Sequence, residues 1–298
     1  MFLVLGNATI DEAMAVEAWP APGQTVVVGP PARDLGGKGA NQALVLARSG
    51  APVRFVAPIG RDAEGDWVAS RLAEAGLDTS SLIRVDAPTD RSLIFVARDG
   101  ENAIASTVAA ARSIDPAAAR AVLAGLGAGD ALLLQGNLTG EATMAALEEA
   151  RARGVATVLN PSPMQPGFAA MLPLVDLLVL NESEGAQLGG SGEPETIAAD
   201  LAARSGGLVV LTLGARGAIV RGPDVRAAVP ARAVPVVDTT GAGDTFAGVL
   251  VGALWHRRLP IAAAVAAASI AASLTVQRKG TLAAFPSRAE VDSIFAAV

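Results

Sequence analysis

The hexapeptide TTGAGD at residues 239–244 sets a carboxylate, Asp244, directly behind two glycines and in front of the apolar run TFAGVLVGAL. If a helix begins there, the amides of Gly241, Ala242 and Gly243 lie bare at the positive end of its dipole, which is a site for a phosphate. An acid beside a bound phosphate is repelled unless it has work to do or a cation nearby. Proton abstraction from an attacking hydroxyl is the chemistry that fits. A second glycine-rich segment, GGKGAN at residues 36–41, carries Lys38 and Asn41 three positions apart, hence on one face of a helix. A cation and an amide there suit a polyhydroxy ligand, and the paired Gly36 and Gly37 let it approach the backbone.

Two familiar loops are excluded. No G-x-x-x-x-G-K-[ST] spacing is present, so GGKG is not a Walker loop. Phe246 stands where a dinucleotide fingerprint starting at Gly241 needs its third glycine, which removes hydride transfer through that motif. Asn181 and Glu184 have the spacing of a capping box, and at a strand end they would also hold a hydrated Mg²⁺ or a phosphate through water. Asp238, with Thr239 and Thr240, is either a turn residue or a set of oxygens for a hard cation. His256, at a helix C-terminus where a cation is favoured, reads as structural.

Elements that position these groups follow from periodicity. Residues 234–237 predict a strand, 238–243 a tight loop and 245–256 a helix. Upstream, strands are expected at 2–5, 53–57, 82–85, 131–134, 155–159, 176–180 and 208–213. Helices are expected from within 35–41 to about 48, and at 64–75, 116–126, 141–153, 182–188 and 195–204. Residues 218–229 predict a short hairpin, and 261–276 and 288–297 the last helices. A strand at 25–28 and a hairpin of 92–97 with 102–107 about Asp99-Gly100 would form a small separate sheet. The fold class is α/β, a mostly parallel central sheet with helices on both faces plus a small β lid. One domain spans 1–298, with lid segments at about 12–34 and 88–108. Ligands bind such sheets at the carboxyl ends of the strands, where Asn137, Asn160, Asn181, Gly214 and Asp238 fall.

Composition narrows the partners. With 298 residues, 51% hydrophobic and 17% charged, the chain can bury a large core. A net charge of -6 argues against nucleic acid or an acidic membrane as partner and favours small ligands. The absence of cysteine rules out disulfides and thiol chemistry and is compatible with the cytoplasm. The first residues lack a basic region and read as a core strand rather than a signal peptide. Residues 261–276, short of a membrane span and interrupted by Ser269 and Ser273, read as a buried helix.

GGKGAN at 36–41, NPSP at 160–163, NESE at 181–184 and DTTGAGDTF at 238–246, in this order over nearly the whole chain, resemble the ribokinase-like (PfkB) carbohydrate and nucleoside kinases, most of all their ribokinase branch. The resemblance implies a central α/β fold with a β lid over a sugar, and ATP as phosphoryl donor. By it, Asp244 is the base, with the amides of 241–244 as its anion hole. Asp11, Gly37, Lys38, Asn41 and Asn137 match sugar-binding positions. Asn181 and Glu184 match the phosphate and Mg²⁺ network; Thr212, Gly214 and Gly217 match the nucleotide site, with Ser269 near the base. Asp238 and Thr240, with carbonyls of Thr275, Arg278 and Gly280, match a potassium site. Asn137 departs from the ribokinase branch, which has Glu there, and Thr9 stands in place of Asn, so the sugar itself stays open. The expected reaction is phosphorylation of a primary hydroxyl on a pentose or similar small sugar; the alternatives are a nucleoside kinase and a non-catalytic binding regulator. A lid strand at 26–28 offers an edge for a homodimer.

Overall fold

Apolar residues on both sides of short β-branched or leucine-rich runs require a sheet covered on both faces, and that is what a computed structural model, describing residues 1–17, 19, 21–97 and 102–298, contains. In chain order the first third holds β1 (Phe2–Leu5), β2 (Thr9–Ala15), β3 (Ala32–Gly36), α1 (Lys38–Arg48), β4 (Val53–Val56), β5 (Pro58–Gly60), α2 (Ala63–Glu74), β6 (Ile83–Val85), β7 (Arg91–Val96) and β8 (Asn102–Ser106). There follow α3 (Pro116–Ala121), β9 (Ala131–Gln135), α4 (Gly140–Ala152), β10 (Ala156–Asn160), α5 (Phe168–Met171), β11 (Leu177–Asn181), α6 (Glu182–Gly189), α7 (Pro194–Ser205) and β12 (Leu208–Thr212). The hairpin β13 (Ala218–Gly222) and β14 (Val225–Val229) precedes α8 (Ala242–Val251), α9 (Ile261–Thr275) and α10 (Arg288–Ala297).

The main sheet runs β14-β13-β12-β11-β10-β9-β1-β4, parallel from β12 to β4 and closed at one edge by the antiparallel hairpin. Side chains alternate between two cores. Val4, Leu133, Val158, Val179 and Val210 face α1, α8 and α9, while Leu3, Leu5, Leu132, Leu134, Leu178 and Leu211 face α4 and α7. A second sheet, β3-β2-β7-β8, stands apart from the first. Its base is pinned by Asp90, buried and accepting from the amides of Ala110 (3.1 Å) and Ala111 (2.8 Å) across the ends of the β7–β8 hairpin. Burial pushes that carboxyl above its ordinary value against those bonds. Among the described residues no helix is long and apolar enough to cross a membrane.

Helix α8 meets α1 through a stripe of small residues. Asp244, Gly248 and Gly252 recur every fourth position, on one face. A Cβ on Gly248 would stand 2.9 Å from Val45 Cβ and 3.0 Å from Gln42 O; one on Gly252 would stand 2.2 Å from Ser49 Oγ. The two backbones therefore lie in contact, and Asp244 is carried to the N-terminal turns of α1.

Three expectations are corrected here. Residues 234–237 form no strand. Pro235 lacks a ladder donor, Val236 and Val237 are 64% and 62% exposed, and the amides of Val237 and Asp238 donate to Val276 O at 2.7 and 3.2 Å. Residues 25–28 are not a strand either; Val27 is fully exposed, and the small sheet uses β2 and β3, segments whose polar residues read as loop. The helix expected at 245–256 starts earlier, at Ala242, and its last turn, Gly252–His256, is wider than α. The turn at Asp99-Gly100 lies outside the described residues.

The last helix supplies a pH test. At its third position Glu290 pairs with Arg278 and accepts from Ser287 N at 2.8 Å, and Arg278 and then Ser287 hold its carboxyl down from 4.5 to about 2. The folded value is the lower one, so this stabilisation is present above pH 4.5 and lost as pH falls toward 2. The pair is solvent-screened and worth below about 1 kcal/mol. Glu290→Gln should flatten the fall of Tm between those pH values, measured by thermal unfolding.

Candidate active site

Asp244 occupies the third position of α8 and is 4% exposed. Its Oδ2 accepts from Asn41 Nδ2 at 2.9 Å and its Oδ1 from Gln42 Nε2 at 3.0 Å, while Lys38 Nζ stands 3.8 Å from Oδ1. Both carboxylate oxygens, in the first turn of a helix, thus accept from an amide, and one of them also faces a cation. Gly241 begins the turn in the left-handed region at φ 74°, where a Cβ would press on Phe285 at 2.6 Å. Of the amides expected to bind an anion, that of Ala242 is spent on Thr239 O at 3.3 Å. Those of Gly243 and Asp244 fall in the first helical turn, where no intrahelical acceptor exists, and Gly243 is exposed with open space where a side chain would be.

Asp11 projects from β2 beside Thr9, whose hydroxyl donates to it at 2.9 Å. Burial pushes its carboxyl up; the bonds from Thr9 and Ser92 oppose that, and the charges of Asp34 and Asp244 add to it. The charge of Asp244 is thus felt at a residue of the small sheet. The glycines of residues 36–39 are also required by the chain packed against them. A Cβ on Gly36 would stand 2.1 Å from the Asp11 carboxylate, one on Gly37 (φ 93°) 2.9 Å from Ala8 Cα, and one on Gly39 2.6 Å from Asn7 N. They admit Asp11 of β2 and the connection from β1 into β2 at close range. Asn7 then caps α1, accepting from Gly39 N at 3.2 Å and Ala40 N at 2.9 Å.

Asn181, Thr212 and Gly214, expected to meet a nucleotide, lie at strand ends. Asn181 and Glu184 make the full reciprocal capping box, at 2.8 and 2.9 Å, consuming Glu184 Oε2. Thr212 ends β12 and touches Leu180 O weakly at 3.4 Å. Gly214 (φ 57°) and Gly217 (φ 96°) are needed by the loop itself, since a Cβ on Gly217 would lie 2.1 Å from Val229 O. Ser269 sits half-buried in α9, and among the described residues no hydrogen bond joins it to Thr212, Gly214 or Gly217.

Asp238 is brought to the segment after α9: its carboxylate accepts from Thr240 N at 2.9 Å and Gly280 N at 3.0 Å. Burial opposes its charge, and the bonds from Thr240 and Gly280, with Lys279, outweigh it, so the carboxyl lies below its ordinary value. Thr275 turns its hydroxyl to Thr245 (2.9 Å) and its carbonyl to Arg278 N (3.0 Å). His256 makes an edge contact with Phe2, and burial, then Arg257, Arg288 and the N-terminus, push its imidazole below the ordinary value. Two cavities, of about 540 and 410 Å³, are lined by none of the candidate site residues; charge and hydrogen bonding, not volume, mark this site.

Sequence reasoning missed Gln42, Gln135 and Asn160 as a group. Gln42 Nε2 also donates to Asn160 Oδ1 (2.9 Å), and Gln135 Nε2 donates to Gln42 Oε1 (2.9 Å). The available signal was a glutamine on the apolar face of α1, one turn ahead of Val45 and Leu46.

Comparison with known proteins identifies the family. Residues 1–288 match the pfkB family carbohydrate kinase. The chain is 33% identical over 293 residues to the bifunctional ribokinase/ribose-5-phosphate isomerase A of Fructilactobacillus sanfranciscensis, covering 96% of this chain and about half, 54%, of that protein. It is 33% identical over 299 residues to ribokinase of Staphylococcus aureus, covering 98% of each. The structure of Arabidopsis thaliana ribokinase complexed with ribose and ATP superposes with a TM-score of 0.84 at 28% identity, covering 99% of this chain and 98% of that one.

Proposed function

The chain belongs to the pfkB family of carbohydrate kinases, phosphotransferases with an alcohol acceptor, and from that premise we propose that it transfers the terminal phosphoryl group of ATP to a primary hydroxyl of a pentose or similar small sugar. The observation that carries this reading is Asp244, a buried carboxylate at a helix start, 3.8 Å from Lys38 and bonded to Asn41. The small sheet acts as the lid, with Asp11, an acceptor, to hold a sugar hydroxyl. As the sugar oxygen attacks in line, Asp244 takes its proton, and the amides of Gly243 and Asp244 with Lys38 stabilise charge on the moving phosphoryl group.

Bound Mg²⁺ would neutralise charge on the phosphate oxygens. Such an ion would be held largely by water and phosphate, with Glu184, whose Oε1 the capping box leaves over, and Asn181 beside it as the residues to hold that water. Asp238, Thr240 and Gly280, drawn together with the Thr275 and Arg278 backbone, would hold K⁺. Thr212, Gly214 and Gly217 would line the base of ATP, with Ser269 behind them.

Asn137 favours a second reading, a nucleoside acceptor. Its Oδ1 is buried without a partner, and the side chain is a neutral amide where an acid would select a free sugar's hydroxyls. Measuring kcat/KM with ATP for ribose, other pentoses, hexoses and nucleosides separates the two: the proposal requires a pentose or small sugar to lead, and a leading nucleoside supports the second. No phosphorylation of any acceptor would leave a binding protein. Asn137→Ala, leaving a substrate hydroxyl without its acceptor at a cost of about 1.4 kcal/mol, should raise the acceptor KM roughly tenfold with kcat nearly kept.

A further inference from the structure

Gln42 is fully buried, and both polar atoms of its side chain are bonded. Nε2 donates to Asp244 Oδ1 at 3.0 Å and to Asn160 Oδ1 at 2.9 Å, and Oε1 accepts from Gln135 Nε2 at 2.9 Å. Asn160 is itself fixed, donating to Val179 O at 2.8 Å. The amide cannot flip, since that would turn Oε1 onto two acceptors and an N–H onto the Gln135 donor. The arrangement also leaves Gln135 Oε1 buried without a partner, a cost that apolar side chains of the same size would not incur. A core built for stability alone would not contain it.

We propose that Gln42 is a positioning residue for phosphoryl transfer, aiming Asp244 through Oδ1 while Asn41 holds Oδ2. This rests on Asp244 being the base. Gln42 acts from behind the carboxylate, so it governs the proton-taking step and not the affinity for sugar or ATP. The charged groups facing Asp244 are Lys38 on α1 and Asp11 on β2; α9, packed on the other side of α8, carries no titratable side chain.

The test compares wild type, Gln42→Met, Gln42→Glu and Asp244→Asn in the full chain, with ATP and the best acceptor of the panel, as kcat and KM across pH. Gln42→Met, which removes the donor but keeps the length, should lower kcat about tenfold or more with both KM values within about twofold. The acid limb of kcat/KM should move up by about one pH unit. Gln42→Glu keeps the shape and the Gln135 bond but sets a second carboxyl in contact with Asp244; the two share a proton, and the limb should move up further. A folded Gln42→Met with its limb in place, or one that changes only KM, overturns the inference. If that variant does not fold, an unmoved limb in Gln42→Glu overturns it, and failure of both to fold assigns Gln42 to stability alone. Should Asp244→Asn keep wild-type turnover, the base assignment falls first; if Asp244→Asn is inactive and the Gln42 limbs stay put, Gln42 alone is reassigned.

Discussion

Asp244→Asn lowers kcat by roughly 10²–10⁴-fold, the contribution of a well-placed general base. The amide keeps the size of the carboxylate but is far too weak a base to take a proton at neutral pH. The surroundings add a second effect. Both oxygens of Asp244 accept from amide N–H groups, Asn41 Nδ2 and Gln42 Nε2, so an asparagine must turn its own N–H group toward one of those donors. That leaves a buried donor unsatisfied, at about 1–3 kcal/mol. The variant therefore melts earlier while remaining folded at room temperature, and thermal unfolding separates the stability loss from the kinetic one. Turnover within threefold of wild type would remove Asp244 from the proton transfer.

Gly248→Val, four residues beyond and without any part in the chemistry, should also cost about 10²-fold in kcat. Its Cβ would meet Val45 Cβ at 2.9 Å and the Gln42 carbonyl at 3.0 Å, inside any real contact, and the further methyls make the overlap worse. Neither α1 nor α8 can yield locally, because Gly252 is pressed on Ser49 one turn on. The helices must part, and overpacking of this kind destabilises by about 1–3 kcal/mol. Parting moves Asp244 away from Lys38, Asn41 and Gln42 together. A displacement of about 1 Å in a reacting group suffices for a loss on the order of 100-fold. The expected signature is low kcat with an acceptor KM changed far less, in steady-state kinetics on a folded sample. Normal kcat in Gly248→Val would show that the closeness of α1 and α8 is immaterial to the site.

Much of this arrangement is legible in the chain because two signals coincide. Runs such as ALLLQ and LLVLN end in amides, which marks both a buried parallel strand and the edge where ligands collect, and TTGAGD announces a helix start by its glycines. The small sheet is harder to read. β2 is half-exposed and carries Asp11 and Glu12, so its polar residues imitate a loop, whereas the apolar 25–28 imitates a strand that the structure does not form. Residues 234–237 mislead for the same reason: β-branched composition predicts pairing, but the β13–β14 hairpin already occupies that edge of the sheet. The glycines at 36–39 are visible, but the close packing of residues 7–11 on them is not, because nothing local shows that this segment will lie against them. Gln42 is the clearest case of a residue whose meaning is tertiary. Its partners lie 93, 118 and 202 residues away along the chain.

The measurement closest to the central claim is ³¹P NMR of the chain with Mg·ATP and each acceptor of the panel in turn. A new phosphomonoester resonance should grow in step with ADP, only when a sugar is present, and should be absent with Asp244→Asn under the same conditions. ADP appearing with inorganic phosphate alone for every acceptor, or an undiminished sugar phosphate signal from Asp244→Asn, would contradict the account.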